Sequence, residues 1–403
     1  MSFVVTLADA AGAGTVGGKA ASLGELARAG VSVPPGFAVT TEAFTAAMEV
    51  IDADGALRAG IESLPAGDVA EIARVAGRFR GIVAGAPLPS EVAAAIEAGY
   101  AALGGTPNVG DVAGVAGAAD VAVRSSATVE DSADASFAGL QDTYLGVSGA
   151  ASVLDHVRRC LASMYNDESV AYRRRLGLPE AGVAMAVVVQ HMVAPRAAGV
   201  MFTRSPVTGD RSVVAIEGTW GLGSALVSGD VTPDSWVISK ITGEITARRV
   251  SPKGKMHGYL PGGGAASPSP SPESPADPDE RAGVMGRVTV LDTPADLREA
   301  PCLTDEEIRA LAAVARRVEA HYGAPQDIEW AVLDAPFADA PVPDAPVPDA
   351  PADSPAPDAP AESRVVLLQS RPETVWAARD ARPAGAPKAR AADHVLALFG
   401  KPL

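Results

Sequence analysis

Two short runs near the end of the chain place the strongest constraint on its fold. Asp327–Leu333 and Arg364–Gln369 both read as strands, and 334–362 between them repeats Asp-Ala-Pro and Pro-Val-Pro-Asp units. Proline supplies no backbone donor and the spacer has almost nothing to bury, so it is expected to stay extended or disordered. The simplest arrangement is a hairpin whose turn has been replaced by a long tether. A domain boundary is the alternative, but it would put the second strand outside the first one's sheet. On such a hairpin Asp327 and Glu329 share a face, because strand side chains alternate. Gln369 and Arg371 alternate the same way on the partner. Two acids, an amide oxygen and a guanidinium are costly to bury unpaired. They imply either a cross-strand salt bridge from Glu329 to Arg371 or an oxygen-ligand site for a divalent metal.

Two further cations fit the second option. Lys19 follows Gly17-Gly18 and opens a short helix expected over 19–30, with Leu23 and Leu26 on one face and Gly30 as its stop. Alone, Lys19 would read as a solvated helix-start lysine. Arg124 ends the Val121–Arg124 strand and begins the small-residue run Ser125-Ser126-Ala127-Thr128. An arginine there is either in a buried ion pair or reaches into a cleft, where its planar fork suits phosphate oxygens. Together the three stretches supply what a nucleotide-phosphate site needs: cations for phosphate and oxygen ligands for its metal.

Two better-known nucleotide motifs fail here. Gly12-Ala-Gly14-Thr-Val-Gly17 matches G-x-G-x-x-G, but Ala8–Ala11 separate it from the strand-like Phe3–Leu7, where a tight turn is needed. Gly18-Lys19 is followed by Ala20, so the hydroxyl of a P-loop is missing.

The rest of the chain reads as an α+β fold. Phe37–Thr41 is strand-like, with Thr41 as a cap for the next helix. Residues 42–104 are largely helical, and 151–175 is a helix with a basic side (Arg158, Arg159, Arg173, Arg174, Arg175). Strands are expected at Ala184–Gln190, Gly199–Thr203 and Val213–Glu217. The formal charge is −16, but 262–280 holds four acids and 334–362 seven, neither with a base, which leaves −5 elsewhere. No basic footprint of a nucleic-acid binder results. Two cysteines, Cys160 and Cys302, make no disulfide framework. No signal peptide is read at the N-terminus, and the apolar run at Val183–Val193 is too short to span a bilayer. A cytoplasmic protein without membrane partners is expected.

These residues resemble the N-terminal ATP-grasp region of the phosphoenolpyruvate synthase, pyruvate phosphate dikinase and rifampicin phosphotransferase family. The resemblance rests on Gly17–Glu25, Val33–Phe37, Val123–Asp131, Ser136–Thr143, Gln190–Val193, Ala198–Thr203, Gly221–Gly223, Pro233–Asp234, His321–Trp330 and Gln369–Thr374. It implies a two-lobed ATP-grasp fold, α+β with mixed or antiparallel sheets and an N-terminal helical subdomain. Residues 1–195 would form one lobe with its helical insert at about 42–104. Residues 196–380 would form the second, carrying the two Pro/Asp-rich inserts, and 381–403 a tail.

The resemblance further implies Mg-ATP as ligand. Lys19, Arg124 and Thr128 would serve the phosphates, under a closing loop Ser132–Gly139. Gln190 and Met192 would lie beside adenine at the hinge, with Glu217 also on the nucleotide. Glu329 and Gln369 would hold Mg2+, Asp327 would support them, and Arg371 would face the transferred phosphoryl. Lys19, Arg124 and Arg371 are thus the catalytic candidates. Family members split ATP to AMP and phosphorylate a histidine, which then serves pyruvate or another small acceptor. This sequence departs from the pattern twice. Ser224 stands where glutamate usually follows Gly221-Leu222-Gly223, and no carrier-type histidine motif surrounds His156, His191, His257, His321 or His394. The expectation is therefore a dikinase subunit working with a separately encoded phosphohistidine carrier protein and a small-molecule acceptor. The basic side of 158–175 is either a docking face for that carrier or a solvated surface. Two other readings stay open: an enzyme acting directly on a small molecule, and a non-catalytic nucleotide-binding module.

Overall fold

The computed structural model describes residues 2–104, 119–128, 131–132, 135–136, 142–180, 182–259, 288–337, 361–374 and 376. The chain opens with β1 (Val4–Thr6), α1 (Ala13–Arg28) and β2 (Gly36–Val39). Four helices follow: α2 (Thr41–Ile51), α3 (Ala56–Glu62), α4 (Val69–Gly85) and α5 (Ser90–Leu103). Next come β3 (Asp120–Ala127), the two-residue pair β4 (Asp131–Ser132) and β5 (Ala135–Ser136), β6 (Thr143–Ser148), α6 (Ala150–Ala162), α7 (Asp167–Leu176) and β7 (Met185–His191). The second half holds β8 (Ala197–Phe202), β9 (Val213–Trp220), α8 (Ser224–Val227), β10 (Asp234–Ser239), β11 (Ile245–Arg249), β12 (Lys255–Tyr259), β13 (Val288–Asp292), α9 (Asp305–Tyr322), β14 (Gln326–Val332) and β15 (Val365–Pro372).

Two main sheets result, in the orders β1-β2-β7-β3-β6 and β11-β10-β9-β8-β14-β15. Every strand pair in them is antiparallel. The expected α+β, two-sheet ATP-grasp-like architecture with helices at 41–103 is what folds, with antiparallel pairing in both main sheets.

The two sheets are buried differently, and that difference makes the site. The first is covered on both faces. Helices α4 to α6 pack one side through Ile72, Phe79, Ile96 and Val157, and α1 packs the other through Val16, Ala20 and Leu23. All residues of β3 and β7 are therefore buried, and both read as nearly unbroken small apolar runs. In the second sheet α9 covers one face through Ile308, Leu311, Val314 and Val318, while the other buries only a small patch at one end, Ala198, Ala331 and Val366. Its strands alternate instead, with Ile216, Trp236, Ile328 and Trp330 turned inward. Burying each of these large side chains is worth about 2–3 kcal/mol. Trp330 fits because its neighbours on the next strands lack side chains: a Cβ on Gly199 would lie 1.9 Å from the Glu217 carbonyl oxygen and 2.8 Å from the Trp330 ring.

Helix α1 ends as expected. Gly30 takes φ +74°, Val31 N–H donates to Leu26 O and Gly30 N–H to Ala27 O. This αL stop is closed by the Leu26–Val31 contact in the core. Its start differs: the helical run begins at Ala13 and is interrupted at Gly17, with φ 74° and ψ 163°. Two other expectations are corrected. Thr40, not Thr41, occupies the N-cap of α2, and both hydroxyls donate to distant carbonyls, those of Ser2 and Gly14. The single helix over 151–175 is two helices separated by a 3₁₀ turn at Ser163–Tyr165, because Ser163 and Asn166 both favour turns. Nor is its basic side a single surface. Arg173 is fully buried against Glu180, Arg158 and Arg159 pair with Asp155, and Arg174 donates to the Leu64 carbonyl.

Candidate nucleotide site

The open face of the second sheet carries the polar residues that the sequence put on alternate positions. In the β14–β15 register Asp327 faces Arg371 and Glu329 faces Gln369. Across the sheet, Glu329 also faces Val200 of β8, and Val200 faces Glu217 of β9. Glu217, Glu329 and Gln369 thus stand in one row, and Asp327 and Arg371 in the next.

From the first sheet, Arg124 reaches into that row. Its guanidinium donates to the Leu368 carbonyl at 2.7 Å, to the Glu329 carboxylate at 2.8 Å and to the Gln369 side-chain oxygen at 2.8 Å. The chain separations are 205 to 245 residues, so only tertiary folding brings these groups together. Arg124 is 9% exposed. The Glu329–Arg371 salt bridge, the alternative to a metal site, is not formed. The register opposes Arg371 to Asp327, and their closest approach is 3.7 Å.

Lys19 is positioned by the break in α1. With Gly17 extended at positive φ, the backbone passes close to β3. Ser126 Oγ donates to the Val16 carbonyl and accepts from Ala20 N–H. The turn resuming at Gly18 then points Lys19 along β3, where its ammonium donates to the Ser125 carbonyl at 2.6 Å. Lys19 and Arg124 are thus joined through one residue of backbone. A side chain at Gly17 is excluded, since its Cβ would lie 2.0 Å from the Ser126 carbonyl oxygen.

Thr128, at the far end of this strand, gives its hydroxyl to the Ala184 carbonyl. Of the expected closing loop Ser132–Gly139, the backbone pairing of β4 with β5 is described. Residues 133–134 and 137–139, like His394 and most of the two acid-rich inserts, lie outside the described residues.

At the other end of the cleft Gln190 is buried and donates to the Pro34 carbonyl. Met192 lies in a small apolar cluster with Ala122 and Leu222, flanked by Leu145, Tyr259 and Val288. This cluster joins the two halves of the chain, and the Tyr259 hydroxyl closes it by donating to the Asp120 carboxylate. Leu222 and Tyr259 were not anticipated. Neither carries a charge or a spacing that marks it in sequence.

Asp327 has the most perturbed carboxyl in the site. Burial pushes it up to about 6, Arg371 opposes the rise and Glu373 adds to it. Its Oδ1 is buried with no hydrogen-bond partner among the described residues.

The donor set fits a magnesium nucleotide. Among the described residues there is no group of three His, Cys, Asp or Glu able to hold a metal by itself. Magnesium does not need one, since it takes one or two protein oxygens and completes its shell with phosphates and water. Glu329 and Gln369 offer those oxygens, and both already hold a cation, the Arg124 guanidinium.

Comparison with known proteins agrees with this chemistry. The family model for the pyruvate phosphate dikinase AMP/ATP-binding domain matches residues 13–391. A rifampicin phosphotransferase of Streptomyces sp is 43% identical over 330 residues, which are 82% of this chain and 34% of that protein. A probable phosphoenolpyruvate synthase of Methanothermobacter thermautotrophicus is 40% identical over 321 residues, 80% of this chain and 42% of that protein. The phosphoenolpyruvate synthase of Aeropyrum pernix is 37% identical over 366 residues, 90% and 41% respectively. The chain therefore spans well under half the length of these relatives. No helix among the described residues is long and apolar enough to cross a membrane. With two antiparallel sheets and a family match over most of its length, this chain belongs to the pyruvate phosphate dikinase AMP/ATP-binding domain family.

Proposed function

We propose that the chain is a phosphotransferase component that binds Mg-ATP between its two sheets, cleaves it to AMP and passes the β-phosphoryl to a histidine on a separately encoded carrier protein. That carrier would serve pyruvate or another small acceptor. The observation that carries the reading is the Arg124 guanidinium, bonded at once to Glu329 and Gln369. It joins the candidate phosphate cations to the candidate metal ligands. Residues 1–195 and 196–380 are taken as the two lobes, and the cytoplasm as the compartment.

In this reading Lys19 and Arg124 hold the phosphates, and Thr128 lies at the far end of the same strand. Met192 and Leu222 form the apolar slot for adenine, with Gln190 fixing the neighbouring turn and Glu217 lining the sheet face. Glu329 and Gln369 would hold the magnesium, whose chemistry there would be to neutralise phosphate charge. Arg371, held over the sheet by Asp327, faces the transferred phosphoryl. Each such cation, placed in advance where charge develops, is worth about 3–4 kcal/mol. An acceptor brought in from outside these residues agrees with the described histidines, each of which already bonds another group through at least one ring nitrogen. His156 bonds Ser152, His191 the Leu103 carbonyl, His257 Ser224 and Asp230, and His321 Glu25.

The test is the product pair. Purified chain is mixed with β-labelled ATP, magnesium and candidate carriers. AMP formation and label on a carrier histidine are expected. ADP as the sole product, without histidine label, overturns the reading and favours direct phosphorylation of a small molecule. Tight nucleotide binding without turnover favours a binding module.

A further inference from the structure

A second cluster of reactive groups lies outside the phosphate-binding row. Ser224 Oγ is 2.9 Å from His257 Nδ1, and His257 Nε2 is 3.1 Å from Asp230 Oδ2. Three elements bring them together: Ser224 opens α8, Asp230 lies in the turn after it, and His257 is the middle residue of β12. The turn is fixed to β12 by a backbone bond from Leu222 N–H to the His257 carbonyl at 2.9 Å. His257 is 3% exposed, while Ser224 is half-buried and the Asp230 side chain half-exposed.

The chemistry of these three groups sets the direction of the protons. The Ser228 hydroxyl, together with His257, holds the Asp230 carboxyl below its ordinary range. It is therefore an acceptor only, and Nε2 of the neutral imidazole must carry the hydrogen. Nδ1 is left with its lone pair towards Ser224. A hydroxyl donating to a buried imidazole, whose other nitrogen is pinned by a carboxylate, is the arrangement that activates a serine nucleophile.

We propose that Ser224, His257 and Asp230 form an acyl-accepting site for small esters. Ser224 Oγ adds to the ester carbonyl carbon while its proton moves to His257 Nδ1. The ester C–O bond then breaks, and the departing alcohol takes that proton. Water adds to the acyl-serine in the same way, which releases the acid and restores the hydroxyl. Val227, 75% exposed one helical turn along, offers an apolar shelf for the acyl chain.

The test uses the whole chain with p-nitrophenyl acetate. Release of p-nitrophenolate and the mass of the peptide containing Ser224 are followed together. Acetylation at Ser224 is expected, absent in Ser224→Ala and slower by about 100-fold or more in His257→Gln, the usual size of general-base assistance. Asp230 is half-exposed, so Asp230→Asn should fold whatever becomes of the His257 variant. It is expected to slow acetylation about tenfold by releasing the imidazole tautomer. Unmodified Ser224 in the wild-type chain overturns the proposal, as does an acetylation rate equal to that of Asp230→Asn.

Discussion

The Arg124 guanidinium and the Glu329 carboxylate meet at 2.8 Å across the two sheets, and the same nitrogen is 2.8 Å from the Gln369 amide oxygen. One protein cation thus holds both oxygens proposed for the metal. Nucleotide phosphates compete for Arg124, so their arrival frees Glu329 and Gln369. Metal and nucleotide are therefore expected to bind with positive coupling, as any shared competitor requires. In Arg124→Met, Mn2+ binding without nucleotide should tighten by about tenfold, the effect of removing a like charge at contact distance. ATP turnover should fall by about 10²–10³ in kcat/KM. Electron paramagnetic resonance of free Mn2+ and a coupled AMP assay read the two effects separately.

Gly17 makes the approach of α1 to β3 possible. Gly17→Ala puts a Cβ 2.0 Å from the Ser126 carbonyl oxygen at a φ of +74°. Strain of this kind costs about 1–3 kcal/mol before the clash is counted. The variant should melt lower, and Lys19 should lose its place beside Ser125, weakening nucleotide binding. Lys19→Met should keep the melting temperature and lose the binding. Thermal unfolding and nucleotide titration on both variants check the distinction.

The site was legible where a local rule was enough. Period-two alternation put Asp327 with Glu329 and Gln369 with Arg371, and the sheet face bears this out. Alternation could not say which acid meets which arginine. That depends on register, and a shift of two residues would have joined Glu329 to Arg371. Nor could it show that Arg124 crosses from the other sheet, since no local pattern encodes a contact 205 residues away. Some misses were avoidable. Thr304-Asp-Glu-Glu307 is a capping-box signature, and both of its reciprocal bonds form at the start of α9. Strands β10 to β13 were passed over although Asp234–Ser239 alternates clearly. The burial of Arg173 is not legible from 158–175 alone, because its partner Glu180 lies beyond the helix.

Asp327 links the site to pH. Its folded value of about 6 lies above the 3.8 of an ordinary aspartate, so between these limits the folded chain binds more protons than the unfolded chain. Stability should therefore fall as pH rises from about 4 to about 6, by up to ~3 kcal/mol if this group acts alone. Above that window the full penalty remains. Asp327→Asn should flatten the slope. Urea unfolding of wild type and variant at several pH values measures it, and an identical slope in both would assign the effect elsewhere.

Arg173 supplies the clearest stability test away from the cleft. Its guanidinium meets both Glu180 oxygens, at 3.0 and 3.1 Å, and also donates to the Met164 carbonyl and the Ser169 hydroxyl. Both side chains are essentially fully buried. Removing one partner leaves a charge in a dry interior, which costs about 3–5 kcal/mol. Arg173→Leu should thus destabilise strongly. Arg173→Leu combined with Glu180→Leu should recover much of the loss, because neither charge is then stranded. If the double variant is no more stable than the single one, the hydrogen bonds to Met164 and Ser169, rather than the ion pair, hold α7 against the 3₁₀ turn.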